Sequence, residues 1–183
     1  MQKYRIALIH NIIAPYRVPL FEELSKHPLV DLRVFYCAKR HKAREWSVRE
    51  GHYDQEILPG ITLEFGDFTN SINPSIISRL IKGDFDAIII GGWWDLTMQM
   101  AFVASKIQKK PVILWSESFT PSTTFGGKCI APLVKWIIRN ADAIIVPGTA
   151  AKRFHAMQGS VPEKIFIAPN VVQNQFYRDR CKL

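Results

Sequence analysis

The segment spanning residues 11–17 places three side chains with binding chemistry where a buried strand is expected to end. It contains no glycine, which argues against the G-x-G-x-x-G turn of a dinucleotide site. It offers an amide at Asn11, an aromatic ring at Tyr16 and a guanidinium at Arg17, directly before a helix. This set suits an anionic or sugar-like ligand, with phosphate at Arg17 and stacking on Tyr16. An equally good interpretation is that Tyr16 packs on the loop and that Arg17 pairs with Glu22 or Glu23.

A second segment, Gly91-Gly92-Trp93-Trp94-Asp95, follows another apolar run. Two glycines permit a sharp turn and a close approach of the backbone to a ligand. Two tryptophans can stack on a sugar ring or a lipid. We expect one tryptophan in the core and the other at a cleft, and we expect Asp95 to cap the next helix.

A third segment, Ser116-Glu117, follows the run PVILW. A carboxylate at the end of a buried strand is unusual, because burial raises the pKa of a carboxyl group. Glu117 could accept a proton or bind sugar hydroxyls, and Ser116 lies beside it. The alternative is a structural glutamate that pairs with an arginine or with backbone amides. Its position at the strand end favours the functional interpretation.

The elements that must position these segments alternate along the chain. Strands are predicted over 4–10, 30–37, 86–90, 111–115, 141–146 and 164–168, with short strands within 53–65. Helices are predicted over 19–26, 74–82, 95–109, 127–139 and 149–158. Asn73 and Thr149 are expected to cap two of them. The pattern predicts an open parallel Rossmann-like sheet with helices on both faces, whose ligands bind beyond the carboxyl ends of the strands.

Two helices carry apolar residues at helical spacing. In the helix predicted over 95–109, four apolar residues at this spacing predict the face that packs on the sheet: Leu96, Met100, Val103 and Ile107. In the second, cations oppose an apolar face: Lys128, Lys135 and Arg139 against Ile130, Leu133, Val134 and Ile137. That second helix is consistent with a membrane-surface contact, or equally with an ordinary amphipathic helix on a sheet.

Composition predicts one compact domain, and its basic excess favours an anionic partner or, equally, forms an ordinary solvated surface. The chain has 183 residues, 48% of them hydrophobic, and 24 basic against 16 acidic residues, a net charge of +8. Cys37, Cys129 and Cys181 have neither disulfide-like nor zinc-like spacing, which favours a reducing, cytoplasmic location. A peripheral position on the inner face of the membrane stays open as an alternative. No apolar run is long enough to span a bilayer.

One loop mixes cations with an aromatic residue: Arg40, Lys42, Arg44, Trp46 and Arg49. Such a mixture can bind nucleic acid. No helix-turn-helix, RNA-binding or zinc signature accompanies it, so we expect no nucleic-acid partner. A solvated loop near an acceptor site is the favoured interpretation.

Several segments together resemble a known family. In chain order they are APYRVPLFEEL, GGWWDLTMQMAFVASK, PVILWSES, ADAIIVPGTAAKRF and IFIAPNVV. This ordered set is similar to the N-terminal half of retaining GT-B glycosyltransferases of group one, family four. The family usually has Pro-Asn-Gly-Val at its interdomain connection, where this chain has Val171 after Asn170. Its relatives often have a glycine pair in the first loop, which is absent here, and a histidine where Ser116-Glu117 stands.

The resemblance implies a two-domain enzyme with a cleft between Rossmann-like halves. Residues 1–170 would form the acceptor-binding half, and 171–183 would begin the interdomain connection or form a tail. The substrates would be a nucleotide-sugar donor and a glycan or lipid acceptor, with no cofactor and no metal ion. The donor-binding half would be a further partner, so we expect this chain alone to have little transferase activity. The alternative is a non-catalytic module, from a truncated or split gene, that binds a sugar, a phosphate or a partner.

Overall fold

A seven-stranded parallel sheet forms the centre of the molecule. The computed structural model describes residues 2–41, 50–65, 68–120, 125–172, 174 and 178. The sheet strands are β1 (Tyr4–Ile12), β2 (Val30–Ala38), β3 (Asp54–Ile57), β6 (Ala87–Ile90), β7 (Val112–Trp115), β8 (Ala143–Val146) and β9 (Ile165–Ile167). Their order is β3-β2-β1-β6-β7-β8-β9 and every pairing is parallel. The predicted α/β fold is confirmed.

Helices cover both faces of this sheet. They are α1 (Val18–Lys26), α2 (Ser75–Lys82), α3 (Leu96–Ile107), α4 (Phe125–Asn140) and α5 (Thr149–Met157). Helix α1 packs on one face through Val18 and Phe21. Helices α2 to α5 pack on the other face, through residues such as Ile76, Phe102 and Ile138. None of the described helices combines the length and the apolar character that crossing a membrane would need.

The boundary between β1 and β6 is the topological switch point of the sheet. From β1 the chain runs outward through β2 to β3, and it then crosses back to lay β6 against the other side of β1. Ligands of open parallel sheets bind beyond the strand ends at such a point. The three predicted binding segments follow β1, β6 and β7, which are neighbouring strands. The fold therefore brings these segments to one edge.

Helix α3 does not pack on the sheet with the predicted face. Leu96, Val103 and Ile107 are exposed, and Met100 is half-buried. The buried face is instead Thr97, Met98, Ala101, Phe102, Ala104 and Ser105. Its small residues allow the helix to lie close to the sheet, and Ser105 donates its hydroxyl to the Ala101 carbonyl at 2.7 Å. Since the helix is apolar on most sides, periodicity could not select the buried one.

The predicted Asn73 cap is wrong, whereas Asp95 occupies the predicted N-cap position of α3 without a side-chain cap hydrogen bond. Helix α2 follows Pro74, and neither helix has a side-chain cap hydrogen bond. The two residues instead hold an antiparallel hairpin, β4 (Ile61–Phe65) and β5 (Phe68–Ile72), against the sheet. Asp95 accepts the Ser71 N–H at 2.7 Å, and burial raises the pKa of the Asp95 carboxyl.

The amide of Asn73 ties the chain around this hairpin to the main sheet. Its Nδ2 donates to the carbonyl oxygens of Cys37 at 3.1 Å and Leu58 at 2.9 Å. Thr97 donates its hydroxyl to Oδ1 of Asn73 at 2.8 Å. Buried polar groups are costly unless paired, so this set depends on all of its members being in place.

The predicted start and end of α5 agree closely with the structure. Thr149 is the first helical residue and Gly148 occupies the N-cap position, so Thr149 is not the cap. Gly159 lies just beyond the helix with a φ of 100°, a value that glycine adopts without strain. A glycine at this position, just past the C-cap residue Gln158, ends the helix.

Replacing Gly60 by alanine should disrupt the Asn73 hydrogen bonds. A Cβ at Gly60 would overlap the Asn73 side-chain amide and the Ile72 carbonyl oxygen. We expect Gly60→Ala to lower the free energy of unfolding by roughly 2–3 kcal/mol, measured by urea titration. Gly148→Ala is the matched control, because nothing lies within 4 Å of the added Cβ. It should cost less than about 1 kcal/mol, and equal losses in the two variants would contradict this role for Gly60.

Candidate functional site

Arg17 is a buried cation at the carboxyl edge of the sheet. Only 5% of the residue is exposed, at the start of α1. Its guanidinium carbon lies 4.6 Å from the ring centre of Trp115 and 5.5 Å from that of Tyr16. It donates a hydrogen bond to Oε1 of Glu117. Arg17 therefore reaches from the loop after β1, past β6, to the loop after β7.

The alternative pairing of Arg17 with Glu22 or Glu23 is wrong. Glu23 pairs with Lys26 at 2.7 Å, and Glu22 accepts the His52 N–H at 3.2 Å. Both glutamates lie on α1, where a local partner was plausible from spacing alone. The observed partner of Arg17 is 100 residues away in the chain.

Glu117 pairs with an arginine, as the structural alternative predicted, yet it remains half-exposed. Its side chain is 50% exposed, and its Oε1 also accepts a hydrogen bond from Nδ2 of Asn170 at 3.0 Å. Asn170 follows β9, two strands beyond β7 in the sheet. Within the described residues, no hydrogen bond is made to Oε2. The Arg17–Glu117–Asn170 cluster thus fixes a carboxylate whose second oxygen can accept a hydrogen bond from a ligand.

The side chains of Asn11 and Ser116 accept hydrogen bonds from backbone N–H groups of the residues that follow them. Strand β1 runs to Ile12, two residues longer than predicted, so Asn11 lies in the strand and its Oδ1 accepts the Ile12 N–H at 2.9 Å. Ser116 is buried, and its hydroxyl accepts the Ser118 N–H at 3.3 Å. Its own N–H donates to the Ile145 carbonyl at 2.9 Å, which anchors the start of the loop that carries Glu117.

Gly91 and Gly92, which follow β6, leave room for the side chain of His10 in β1. A Cβ at Gly91 would lie 3.1 Å from both Cδ2 of His10 and the Ile9 carbonyl oxygen, closer than such contacts normally are. Gly92 has a φ of 126°, which strains any other residue. The predicted turn is present, but the close neighbour of Gly91 is the chain's own histidine, so the predicted approach of this backbone to a ligand stays a prediction.

The two tryptophans differ in environment as expected. Trp93 is partly buried against the core, with its ring centre 5.8 Å from that of His155. Trp94 is more exposed, and its indole N–H donates to the Thr69 carbonyl at 3.1 Å. His155 is buried and bonds through Nδ1 to the Ala151 carbonyl at 2.8 Å, so it is a packing residue.

His10 is a site residue that the sequence analysis did not select. Its ring lies edge-on to Phe21 at 5.9 Å and to Tyr36 at 6.4 Å, and its Nδ1 is 3.1 Å from the Ile12 carbonyl oxygen. Burial, reinforced by the nearby Arg17 charge, lowers the pKa of His10 to about 4. The available signal was a histidine directly after the apolar run IALI of β1.

Some of the predicted features lie outside the described residues. Lys42, Arg44, Trp46 and Arg49 of the basic loop lie outside the described residues, as does most of 173–183. Within the described residues, no group of three His, Cys, Asp or Glu side chains could hold a metal ion.

Acid should destabilise the fold through His10. Its pKa in the folded state lies below the ordinary value of 6.5, so the unfolded chain binds the proton first as the pH falls. Stability should therefore be full above about pH 6.5 and decline toward pH 4, with His10 contributing roughly 2 kcal/mol of the loss.

Urea titrations at neutral and acid pH test this contribution. His10→Gln should be less stable at neutral pH but lose less stability on acidification than the wild type does. The exposed His27→Gln variant is the matched control and should keep the wild-type profile. An unchanged pH dependence in His10→Gln would exclude His10 as a source of acid lability.

Solved structures of sugar-nucleotide proteins share this architecture. The UDP-N-acetylglucosamine 2-epimerase of Rickettsia bellii matches all of this chain and 50% of its own, with 17% identity and a TM-score of 0.63. The Neisseria meningitidis UDP-GlcNAc 2-epimerase bound to UDP-GlcNAc matches over 98% and 49%, with 18% identity and a TM-score of 0.61. Anabaena HepE in complex with UDP-glucose matches over 94% and 45%, with 14% identity and a TM-score of 0.61.

These matches establish the fold. No protein-family model matches the sequence, and no curated protein matches it. The chain spans about half the length of the solved structures it resembles. Its sheet, flanked by helices, therefore has the fold of one Rossmann-like half of the GT-B architecture, which UDP-GlcNAc 2-epimerases share with glycosyltransferases.

Proposed function

We propose that this chain is the acceptor-side, N-terminal half of a retaining glycosyltransferase. The enzyme would transfer a sugar from a nucleotide-sugar donor to a hydroxyl of a cell-envelope glycan or lipid precursor. The observation that carries the proposal is Glu117, a carboxylate fixed through Oε1 at the switch-point edge with Oε2 open. A carboxylate held in this way can orient a hydroxyl group by accepting a hydrogen bond from it.

Arg17 and Asn170 act as positioning residues in this proposal. The guanidinium of Arg17 is bonded to Glu117 and lies against Trp115, so it serves the carboxylate rather than the donor phosphates. Asn170 ties the segment after β9 to the same oxygen. A ligand would therefore meet a carboxylate with a preset orientation, and little side-chain entropy would be lost on binding.

The exposed aromatic rings at this edge suit a sugar ring. Tyr16 is 41% exposed beside Arg17, and Trp94 is 37% exposed in the loop after β6. Sugar rings present apolar C–H faces that aromatic side chains can cover. Donor phosphates would be bound by the second half of the enzyme, and the departing diphosphate would help to deprotonate the acceptor.

Nucleotide-sugar epimerisation is a second candidate. It is favoured by the fold likeness to UDP-GlcNAc 2-epimerases, over about half of their length. The two reactions differ in product. A transferase releases UDP only when an acceptor takes the sugar, whereas an epimerase returns a changed nucleotide sugar without any acceptor.

The test is an assay of the protein isolated at its native size from its source cells, with any second half included. UDP-glucose and UDP-GlcNAc are supplied with and without an envelope extract, and NMR identifies the products. We expect UDP release and new glycosidic signals that depend on the extract. Epimer formation without the extract would favour the second candidate, and absence of both reactions would favour a non-catalytic binding module.

Glu117→Gln should lower the transfer rate while leaving the fold intact. The amide keeps the shape but replaces a charged acceptor, so we expect kcat/KM to fall roughly 10- to 100-fold, as loss of one charge-assisted hydrogen bond predicts. Glu163→Gln is the control, because Glu163 is exposed in the turn before β9 at the opposite edge of the sheet. Equal rates in the two variants would remove Glu117 from the mechanism.

A further inference from the structure

Helices α2 and α3 enclose a groove of about 430 Å³ on the outer surface of the domain, with a contribution from Leu133 of α4. Its aliphatic lining comprises Ile77, Ile81, Leu96, Met100, Val103 and Ile107. We call this feature the aliphatic groove. Ile81 is 60% exposed and Ile107 is 77% exposed. A contiguous apolar surface of this kind marks an interaction site.

The charges around the aliphatic groove are all of one sign along its helices. Helices α2, α3 and α4 contain no Asp or Glu. They carry the cations Arg79, Lys82, Lys106, Lys128, Lys135 and Arg139, and Lys109 and Lys110 follow α3 directly. Three of these are paired: Arg79 with Glu56, Lys106 with Asp142 and Lys110 with Asp84.

Lys82, Lys109 and Lys135 are exposed, and none of them forms an ion pair within the described part of the chain. Lys82 directly follows Ile81, and Lys109 lies two residues after Ile107. The most exposed aliphatic side chains of the groove thus neighbour lysines at the C-terminal ends of α2 and α3.

We infer that this face docks on an anionic lipid surface, with the isoleucines entering the headgroup boundary and the lysines meeting lipid phosphates. Aliphatic residues flanked by lysine are typical of membrane-surface contacts. Protein–protein interfaces are instead depleted in lysine and enriched in aromatic residues. A twofold dimer through this face would gather the lysines of two copies at one interface, with no Asp or Glu on α2, α3 or α4 to pair with them. The net charge of +8 adds attraction to an anionic surface.

The docking face differs from the one that the α4 sequence pattern indicated. The aliphatic residues of α4 pack mainly against the core: Ile137 is 2% exposed, Val134 is partly buried there, and Leu133 lies between the core and the groove. Helix α4 is therefore an amphipathic helix on the sheet, as the alternative interpretation predicted. The inference is independent of the proposed function, because it uses no residue of the Arg17–Glu117–Asn170 cluster.

Vesicle flotation of the full chain tests the inference. Vesicles of phosphatidylcholine alone are compared with vesicles that also contain phosphatidylglycerol. We expect binding to the anionic vesicles only, weakened by salt. The double variant Ile81→Ser, Ile107→Ser should reduce partitioning into the vesicles roughly tenfold or more. The reason is that it removes the two isoleucine side chains that would be transferred from water into the lipid. Lys82→Gln and Lys109→Gln should each weaken it about fivefold.

Ile61→Ser is the matched control, since Ile61 is 66% exposed on β4 and lies outside the groove lining. It should bind as the wild type does. The inference is overturned by absence of vesicle binding, by equal binding to neutral vesicles, or by wild-type binding of the double isoleucine variant. It is also overturned if the double variant instead abolishes self-association in sedimentation velocity, which would assign the groove to a second copy.

Discussion

Burial of the Arg17 guanidinium is the constraint on which the rest of the candidate site depends. A charge withdrawn from water must find a partner of opposite sign, and Glu117 is that partner. The aromatic rings of Tyr16 and Trp115 flank the guanidinium and add cation–π attraction. The pair therefore fixes two loops from different strands relative to each other.

The surrounding chain is shaped to permit that pairing. Strand β6 lies between β1 and β7, and it is followed by Gly91 and Gly92, which place no side chain in the space between the two loops. Ser116 anchors the start of the Glu117 loop to β8 through its N–H. Asn170 adds a third chain segment to the same carboxylate oxygen. Residues at the ends of four strands thus position one carboxylate.

Much of the fold follows from local sequence, whereas the pairings do not. Short apolar runs alternating with helical segments predicted the parallel sheet, because fully buried strands and short connections leave few other arrangements. The partner of Arg17 could not be predicted from spacing, because Glu22 and Glu23 were nearer along the chain. The roles of Asn73 and Asp95 were missed for the same reason, since their partners lie on other elements.

Helix α3 shows a second limit of sequence reasoning. Its stripe of Leu96, Met100, Val103 and Ile107 was a sound amphipathic signal, yet it faces outward. The helix has a second, smaller-sided apolar face that fits closer to the sheet. Periodicity identifies apolar faces, but it does not show whether the sheet, another protein, lipid or water covers each of them. The domain thus has a polar site at the carboxyl edge of the sheet and an aliphatic surface on its helical layer.

The most direct test of this account is a double-mutant cycle on Arg17 and Glu117, with the free energy of unfolding measured for the wild type, Arg17→Met, Glu117→Gln and the double variant. A structurally important pair with a buried guanidinium should give a coupling energy of about 1–2 kcal/mol, allowing for the half-exposed carboxylate. A coupling near zero, as exposed surface pairs often give, would contradict the claim that this pair organises the site.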